Sequence, residues 1–334
     1  MTETVLNKIN EILKNADFET LSLDEYSNRK SKFCFDILVK KEDSIFSVKL
    51  ISNIDNISPD IINDIKSLSL LLKSKPLLIG IRNRYQKLED NTIYIREGLP
   101  IISLNTLENV LSRNRYPYIV AKRGGGIIFL NGCLMKEIRE QQLISRKALS
   151  EKLGIAKRTV YSYENETLRP SEKIAEKISD ILESNEIFKR INILDWPIKF
   201  DLDQKENLEE NDLSPFESHI QEIISDIGIC TYWYKKGPVP FQLSIYSQIS
   251  KNIQKSNFYP IFSGITEDQK RINESMIKCL RTFTKLFHKN ALFIIDNNIK
   301  ITETLIKEKI PIVKVKELEE IDDEEEFIEL IQEL

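Results

Sequence analysis

Cations and hydroxyl groups cluster in the segment KRTVYSYENETLRP, residues 157–170, and this cluster is the clearest chemical signal in the sequence. If the segment begins as a short helix, Val160 and Tyr163 lie three residues apart and face inward. The outward positions are then Lys157, Arg158, Thr159 and Ser162. Such side chains suit the acceptors of guanine, the edge of thymine and phosphate oxygens. The segment therefore predicts a surface that contacts DNA.

Four short helices must hold this surface in place. Residues 134–142 read as the first helix, Ser145 as the N-cap of the second, and Gly154 as its end. Ala156 opens the third helix, and a fourth closes the core. Two helices around a glycine-containing turn form a helix-turn-helix, whose second helix projects its N-terminal end toward base edges. A plain four-helix bundle is the alternative.

Residues 134–182 resemble the helix-turn-helix domain of the phage repressor and Cro (XRE) type. The matching positions are Ile138-Arg139, Ser145, Leu149, Ser150, Gly154-Ile155, Val160, Glu164 and Arg169-Pro170. Two positions depart from the pattern: Ala156 stands where Ser or Thr usually caps the reading helix, and Glu166 stands where Gly is common. We expect both departures to weaken local helix capping.

The resemblance implies which side chains meet DNA. Arg146 would contact phosphate, while Lys157, Arg158 and Ser162 would face bases. Free N–H groups at the helix start after Ser145 would offer a further phosphate site. The full predicted set of DNA-binding residues is Ser145, Arg146, Lys147, Ala156, Lys157, Arg158, Thr159, Tyr161, Ser162, Asn165 and Arg169.

A glycine-rich hairpin precedes these helices. In residues 116–132, two β-rich arms surround Gly124-Gly125-Gly126, and Lys122-Arg123 lie at the tip. The glycines could serve only a tight turn, or the basic tip could act as a wing that contacts phosphate. The sequence leaves both interpretations open.

Strands alternate with helices on both sides of the helical middle, which predicts two α/β units. Residues 99–108 align without gaps with residues 310–319. Weaker matches pair residues 74–80 with 289–295, 35–38 with 241–244, and 51–54 with 262–265. We interpret this as a duplicated unit, with chance similarity as the alternative.

The first α/β unit resembles the core of restriction-endonuclease-type nucleases. In that core two carboxylates bind Mg²⁺, and a lysine two residues after the second carboxylate supports the attacking water. Asp36 and Lys49 match this pattern, but Ser47 stands at the second carboxylate position. A neutral hydroxyl cannot replace a carboxylate as a strong Mg²⁺ ligand. In the second copy Gln242 falls at the Asp position and Pro260 near the Lys position, so we expect no catalytic residues.

Charge is segregated along the chain. The 334 residues carry a net charge of −4, yet residues 113–170 hold 12 Lys and Arg against 5 Asp and Glu, a balance of +7. The remainder holds 36 basic and 47 acidic residues, a balance of −11. A basic middle between acidic flanks favours a nucleic-acid partner for the middle.

Composition argues against other classes of protein. No apolar run approaches the length of a membrane span, and the first residues lack a signal-peptide pattern, so we expect a cytoplasmic protein. No Cys-x-x-Cys pair is present, which argues against a zinc finger and fits a reducing compartment. We expect no metal and no cofactor. The isolated residues behind this expectation are Cys34, Cys133, Cys230, Cys279, His219 and His288.

The whole arrangement resembles a group of archaeal helix-turn-helix transcriptional regulators in which an α/β domain, the helix-turn-helix and a second α/β domain follow in order. We predict an α/β plus α fold: a central all-α helix-turn-helix domain, preceded by a β-hairpin and flanked by two related, degenerate restriction-endonuclease-like α/β domains. The predicted bounds are 1–115 for the first domain, 116–132 for the hairpin, 133–194 for the helix-turn-helix, 195–215 for a linker and 216–334 for the second α/β domain.

The predicted function is sequence-specific binding of double-stranded DNA in transcription regulation, by a homodimer that is not an enzyme. A dimer is expected because such domains usually read two half-sites about one helical turn apart. One alternative is a nuclease or DNA-repair enzyme that uses the helix-turn-helix for delivery and would depend on Asp36 and Lys49. Another is a module that binds protein or RNA. The sequence points to no particular small-molecule effector.

Overall fold

The computed structural model describes residues 2–23, 33–123, 125–200, 213–234, 241–247, 258–268, 274–301 and 309–333. Within these ranges the chain is mixed α/β, with an eight-stranded sheet, a five-stranded sheet and a run of short helices between them. None of the helices in the described part is both long and apolar enough to cross a membrane.

The first half of the chain builds the larger sheet. Its helices are α1 (Thr2–Asn15), α2 (Pro59–Leu71) and α3 (Leu104–Arg113). Its strands are β1 (Glu19–Ser22), β2 (Ile37–Lys41), β3 (Ser44–Asn53), β4 (Ser74–Arg82), β5 (Thr92–Arg96), β6 (Leu99–Ile102), β7 (Ile119–Lys122) and β8 (Gly125–Ile128). The strand order is β1-β2-β3-β4-β6-β5-β7-β8, and β3, β4 and β6 run parallel.

Local sequence explains several of these boundaries. The β2–β3 hairpin turns at Glu42-Asp43, with Lys41 paired to Ser44. The hydroxyl of Ser58 accepts the backbone N–H of Ile61, so it caps α2. The glycine-rich segment does form an antiparallel hairpin, β7–β8, but it is not separate from the first unit, because β7 pairs in parallel with β5.

The second half builds the smaller sheet. Its helices are α8 (Pro215–Asp226), α9 (Glu274–Phe287), α10 (Val315–Glu319) and α11 (Glu324–Glu333). Its strands are β9 (Cys230–Trp233), β10 (Leu243–Tyr246), β11 (Ile261–Thr266), β12 (Asn290–Ile295) and β13 (Ile312–Lys314), in the order β9-β10-β11-β12-β13. Residues 201–212, most of the predicted linker, lie outside the described residues.

The two sheets repeat one order of elements. The series α1–β1–β2–β3–α2–β4–β6–α3 has its counterpart in α8–β9–β10–β11–α9–β12–β13–α10. In both, two antiparallel pairings are followed by two parallel ones across the sheet. The shared order extends the sequence match between residues 99–108 and 310–319 to the topology of both units.

Equivalent hydrogen bonds show which residues of the two units correspond to each other. The carboxylate of Asp36 accepts the backbone N–H of Leu50 at 2.7 Å. In the second unit the side-chain oxygen of Gln242 accepts the N–H of Ile265 at 2.9 Å. Gln242 is therefore equivalent to Asp36, and Ile265 to Leu50.

This register corrects one part of the sequence alignment. Because Ile265 is equivalent to Leu50, Gly264 stands at the position of Lys49. The predicted match of residues 51–54 with 262–265 is out of register, and Pro260 is not the residue near the Lys position. The misalignment arose because short apolar strands match in more than one register.

The two units pack face to face through equivalent residues. Phe35 and Phe241, which precede Asp36 and Gln242, have ring centroids 6.4 Å apart. Strand β1 contacts α9, and β9 contacts α2, where the hydroxyl of Tyr232 donates to Asp64 at 2.9 Å. Reciprocal contacts of this kind characterise a two-fold interface between like subunits. Here both partners belong to one chain.

Candidate nucleic-acid interface

The helical middle consists of α4 (Gly132–Gln141), α5 (Arg146–Leu153), α6 (Lys157–Glu164) and α7 (Glu172–Leu182). Ser145 caps α5 by accepting the N–H of Ala148 at 3.1 Å, as predicted. Gly154 ends α5 in the left-handed region, with φ 68°, where glycine has no steric penalty. The buried core of this region combines residues of the helices with Ile119 and Ile128 of the hairpin. Its other members are Leu130, Met135, Leu149, Leu153, Val160, Tyr163, Ala175, Ile178, Leu182 and Ile187.

Helix α6 presents the predicted polar face. Val160 and Tyr163 are buried, whereas Lys157 and Arg158 are exposed at its start and Tyr161 is exposed farther along. Among the remaining predicted residues, the exposed ones are Ser145, Lys147, Ala156, Asn165 and Arg169. Arg146, Thr159 and Ser162 are half-buried. All these residues belong to α5, α6 and the segments next to them.

A buried ion-pair network joins α4, α5 and α6. One carboxylate oxygen of Glu164 accepts a hydrogen bond from Nε of Arg139 at 2.6 Å. The other oxygen accepts a hydrogen bond from Nε of Arg146 at 2.5 Å. Arg139 and Glu164 are only 4% and 5% exposed, and Arg139 also donates to the carbonyl of Ile144 at 2.7 Å. A buried charge is tolerated only when it is paired and hydrogen-bonded, which this geometry provides. We term Arg139, Arg146 and Glu164 the ion-pair triad.

The triad changes the interpretation of Arg146. The sequence analysis assigned it only to phosphate, but its Nε binds Glu164 and its guanidinium lies 5.3 Å from the ring centroid of Tyr161. These two contacts hold the Arg146 side chain in one orientation. It is 31% exposed and lies at the edge of the predicted DNA-binding surface. The signal that could have revealed the triad was a Glu directly after the inward-facing Tyr163, because a buried carboxylate requires a cation.

The start of α6 has no side-chain cap. Ala156 occupies the N-cap position with φ −72° and ψ 145°, and no side-chain hydrogen bond is made there. This agrees with the expectation from the sequence. Ala156 is exposed, and no side chain accepts a hydrogen bond from the first N–H groups of α6.

Glu166 has a role that the sequence analysis missed. It adopts φ 59°, the left-handed conformation for which glycine is common at this position. Its carboxylate accepts the N–H of Gly132 at 3.1 Å and pairs with Lys189, so it adds to the cap that Asn131 provides at the start of α4. The hydrogen bonds from Lys189 and then Gly132 lower the pKa of Glu166. Glu166 therefore does more than weaken a helix end.

The hairpin holds the segment that leaves α6. The N–H of Ile128 donates to the carbonyl of Pro170 at 3.1 Å, and the guanidinium of Arg169 lies 3.9 Å from the ring centroid of Phe129. Lys122 and Arg123 are exposed at the end of β7. Gly124 lies outside the described residues.

The nuclease-like position contains an ion pair. Lys49 Nζ lies 2.8 Å from one carboxylate oxygen of Asp36, and the other oxygen accepts the N–H of Leu50. Both side chains are largely buried. Ser47, at the second carboxylate position, is buried, and its hydroxyl has no hydrogen-bond partner among the described residues. With both Asp36 oxygens engaged and Ser47 at the second carboxylate position, these residues do not fit a Mg²⁺ ion.

The second unit closes over this region. The ring of Phe33 lies 5.5 Å from those of both Tyr234 and Phe241. Burial, followed by the nearby Asp64 carboxylate, raises the pKa of the Cys34 thiol, and Lys49 and Asp36 act on the same thiol. These ionisable groups therefore lie close to the aromatic contact between the units, where water has little access.

The isolated cysteines and histidines form no metal centre within the described ranges, where no group of three or more His, Cys, Asp or Glu could hold an ion. Cys34 and Cys279 are buried, Cys230 is half-buried and Cys133 is exposed. His219 Nε2 lies 2.7 Å from a carboxylate oxygen of Glu319 on the surface.

Comparison with known proteins identifies two segments. Residues 2–117 match the family described as "PD-(D/E)XK superfamily domain", and residues 135–186 match the family described as "Helix-turn-helix". No solved structure matches the chain significantly.

Relatives cover nearly the whole chain. A protein of Methanothermobacter thermautotrophicus named "Putative HTH-type transcriptional regulatory protein" is 26% identical over 332 residues, which is 99% of this chain and 96% of that one. A protein of Methanocaldococcus jannaschii with the same description is 26% identical over 333 residues, 99% of this chain and 97% of its own. One of Archaeoglobus fulgidus is 30% identical over 238 residues, 71% of this chain and 73% of its own. The chain therefore belongs to the family of these archaeal HTH-type transcriptional regulatory proteins, with a PD-(D/E)XK domain ahead of its helix-turn-helix.

Proposed function

We propose that the chain regulates transcription by binding a specific sequence of double-stranded DNA, with α6 in the major groove in the Cro-type manner. The observation that carries this proposal is the exposed pair Lys157 and Arg158 at the start of α6, on a helix anchored by the ion-pair triad. A reading helix must be rigid, because side chains that read base edges need fixed positions. The triad supplies that rigidity in this chain.

In this binding mode the predicted residues divide between contacts to the bases and contacts to the DNA backbone. Lys157, Arg158 and Ser162 read base edges, while Arg146, held by Glu164, contacts phosphate. Thr159, Asn165 and Arg169 lie along the DNA backbone. The open N–H groups after Ala156 receive a phosphate oxygen, which completes the missing cap. Lys122 and Arg123 extend the contact as a wing.

A homodimer supplies two reading helices for two half-sites about one helical turn apart. Each chain carries one match to the helix-turn-helix family, so two copies are needed. The second α/β unit is, in our proposal, a degenerate repeat of the first. Because the two units already pair within one chain through Phe35 and Phe241, the second copy must join through a different surface. We propose that this regulator works in the cytoplasm.

We propose that the PD-(D/E)XK domain is a scaffold and not an enzyme. The nuclease alternative is favoured by the match of residues 2–117 to the PD-(D/E)XK family and by the retained ion pair of Asp36 and Lys49. Against it stand the buried Ser47, the closed aromatic interface and Gln242 with Gly264 in the second unit. A Mg²⁺-dependent cleavage of plasmid DNA that Asp36→Asn abolishes would show that this proposal is wrong.

The binding mode is tested by duplex affinity of the full-length protein. The double variant Lys157→Ala/Arg158→Ala removes two base contacts, each worth roughly 1–3 kcal/mol. We expect its affinity for a selected duplex to fall at least tenfold. Lys177→Ala, an exposed cation on α7, is the matched control and should bind as wild type. Equal affinity of the double variant would favour a module that binds protein or RNA.

A further inference from the structure

A cleft of about 800 Å³ opens on the first unit beside the tip of the β7–β8 hairpin. Its walls come from the segment after β3, the loop between β4 and β5, strand β5 and the hairpin tip. Its lining includes neither Asp36 nor Lys49, so it is distinct from the nuclease-like position. The volume lies within the roughly 300–1,000 Å³ typical of small-molecule sites.

The cleft is strongly cationic. Arg84, Arg96, Lys122 and Arg123 line it together with one carboxylate, that of Asp55. Asp55 is engaged by the guanidinium of Arg96 and by the backbone N–H of Arg84 at 2.8 Å. The hydrogen bond from Arg96 is the largest effect that lowers the pKa of Asp55, so this carboxylate stays ionised and holds Arg96 in place.

Three of the four cationic side chains are available to bind a ligand. Within the described part of the chain, the side chains of Arg84, Lys122 and Arg123 form no ion pair, and all three are exposed. The chain as a whole carries a net charge of −4, so this concentration of positive charge is local. Cations that converge on a concave surface attract an anion, and arginine suits phosphate because it can donate two parallel hydrogen bonds.

An exposed aromatic ring stands at the same cleft. Tyr85 is 86% exposed, although its backbone is held firmly. The side-chain oxygen of Asn83 accepts the N–H groups of Tyr85 at 2.8 Å and Gln86 at 2.7 Å, which locks the turn. A tyrosine presented on a locked turn next to cations suits the stacking of a nucleobase.

We propose that this cleft binds a nucleotide, with its phosphates against Arg84, Lys122 and Arg123 and its base stacked on Tyr85. The phosphates come either from a free nucleotide or from a duplex that runs past the helix-turn-helix; a duplex, whose bases are stacked within the helix, would use only the cationic side chains and not Tyr85. A free nucleotide would touch the hairpin whose strand β8 holds Pro170 after the reading helix. It would then act as the effector that the sequence does not reveal.

Calorimetric titration of the full-length protein with ATP, GTP and AMP, in the absence of DNA, tests whether the cleft binds a free nucleotide. We expect saturable binding by wild type, weakened at least tenfold by Tyr85→Ala and by Arg84→Ala. Both side chains are exposed, so these variants should fold. Lys8→Ala, an exposed cation on α1, is the matched control and should bind nucleotide as wild type does.

Duplexes of two lengths test whether the cleft binds the phosphates of DNA that runs past the helix-turn-helix. If no free nucleotide binds, Arg84→Ala should lose at least fivefold affinity for a duplex of about 40 base pairs and none for a duplex that covers only the half-sites, because the phosphate contact lies outside the half-sites. Lys157→Ala/Arg158→Ala should leave nucleotide binding intact, so failure of the reading helix and failure of the cleft are distinguishable. No nucleotide binding together with unchanged affinity for the long duplex overturns the proposal.

Discussion

Removal of the Glu164 carboxylate should open the helix-turn-helix locally. In Glu164→Ala the guanidinium of Arg139, only 4% exposed, keeps its bonds to Ile144 and Glu140 but loses its buried counter-ion. Breaking a buried ion pair by removing one partner costs about 3–5 kcal/mol. Arg146→Ala leaves Glu164 paired with Arg139, and its own side chain is 31% exposed, so solvent screening limits the loss to about 1 kcal/mol.

Hydrogen exchange of the full-length protein measures these losses, because it reports the local opening free energy of amides in α4, α5 and α6. Glu151→Ala, which removes an exposed partner 3.9 Å from Lys147, should change the opening free energy by less than about 0.5 kcal/mol. Arg139→Met/Glu164→Leu removes both buried charges and should be less destabilised than Glu164→Ala. If Glu164→Ala lowers the opening free energy no more than Arg146→Ala does, the role assigned to the triad is wrong.

Three further predictions concern single sites. Ala156→Ser should raise the opening free energy of α6 by about 1 kcal/mol without DNA and weaken duplex binding, as hydrogen exchange and anisotropy would show; unweakened binding contradicts the phosphate cap. Glu166 has a lowered pKa, so its stabilisation of α4 is present above the unfolded pKa and lost as pH falls through the folded pKa. Hydrogen exchange in α4 should lose this acid dependence in Glu166→Gln, and an unchanged pH profile would count against the cap at Gly132. Wild-type protein with Mg²⁺ should leave plasmid DNA intact on a gel, as should Asp36→Asn; cleavage by the wild type alone would contradict the scaffold role.

Helix-turn-helix geometry could be predicted from the sequence because its determinants are local. Ser145 and Gly154 mark the ends of α5 by capping rules, and the spacing of Val160 and Tyr163 gives the inward face of α6. The ion-pair triad could not be predicted in the same way. Arg139 and Glu164 are far apart in the chain, and only the packing of α4 on α6 brings them together.

The α/β units show where local patterns are insufficient. The alternation of strands with helices could be predicted from the sequence, but strands β1 and β5 were missed. The alignment of the second unit with the first could not be predicted, because Ile265 and its neighbours match in several registers. The packing of Phe35 against Phe241 depends on two complete sheets, and no short segment contains that information. The cleft at Tyr85 likewise joins a loop and a hairpin that are distant in sequence.

Selection of bound sequences from a random duplex library tests the central claim most directly. Wild-type protein should enrich one motif with two half-sites about one helical turn apart. Lys157→Ala/Arg158→Ala should lose that motif or relax it at the positions those residues read, while Lys177→Ala should enrich it unchanged. Enrichment of no motif by wild type, or of the same motif by the double variant, would contradict sequence reading by α6.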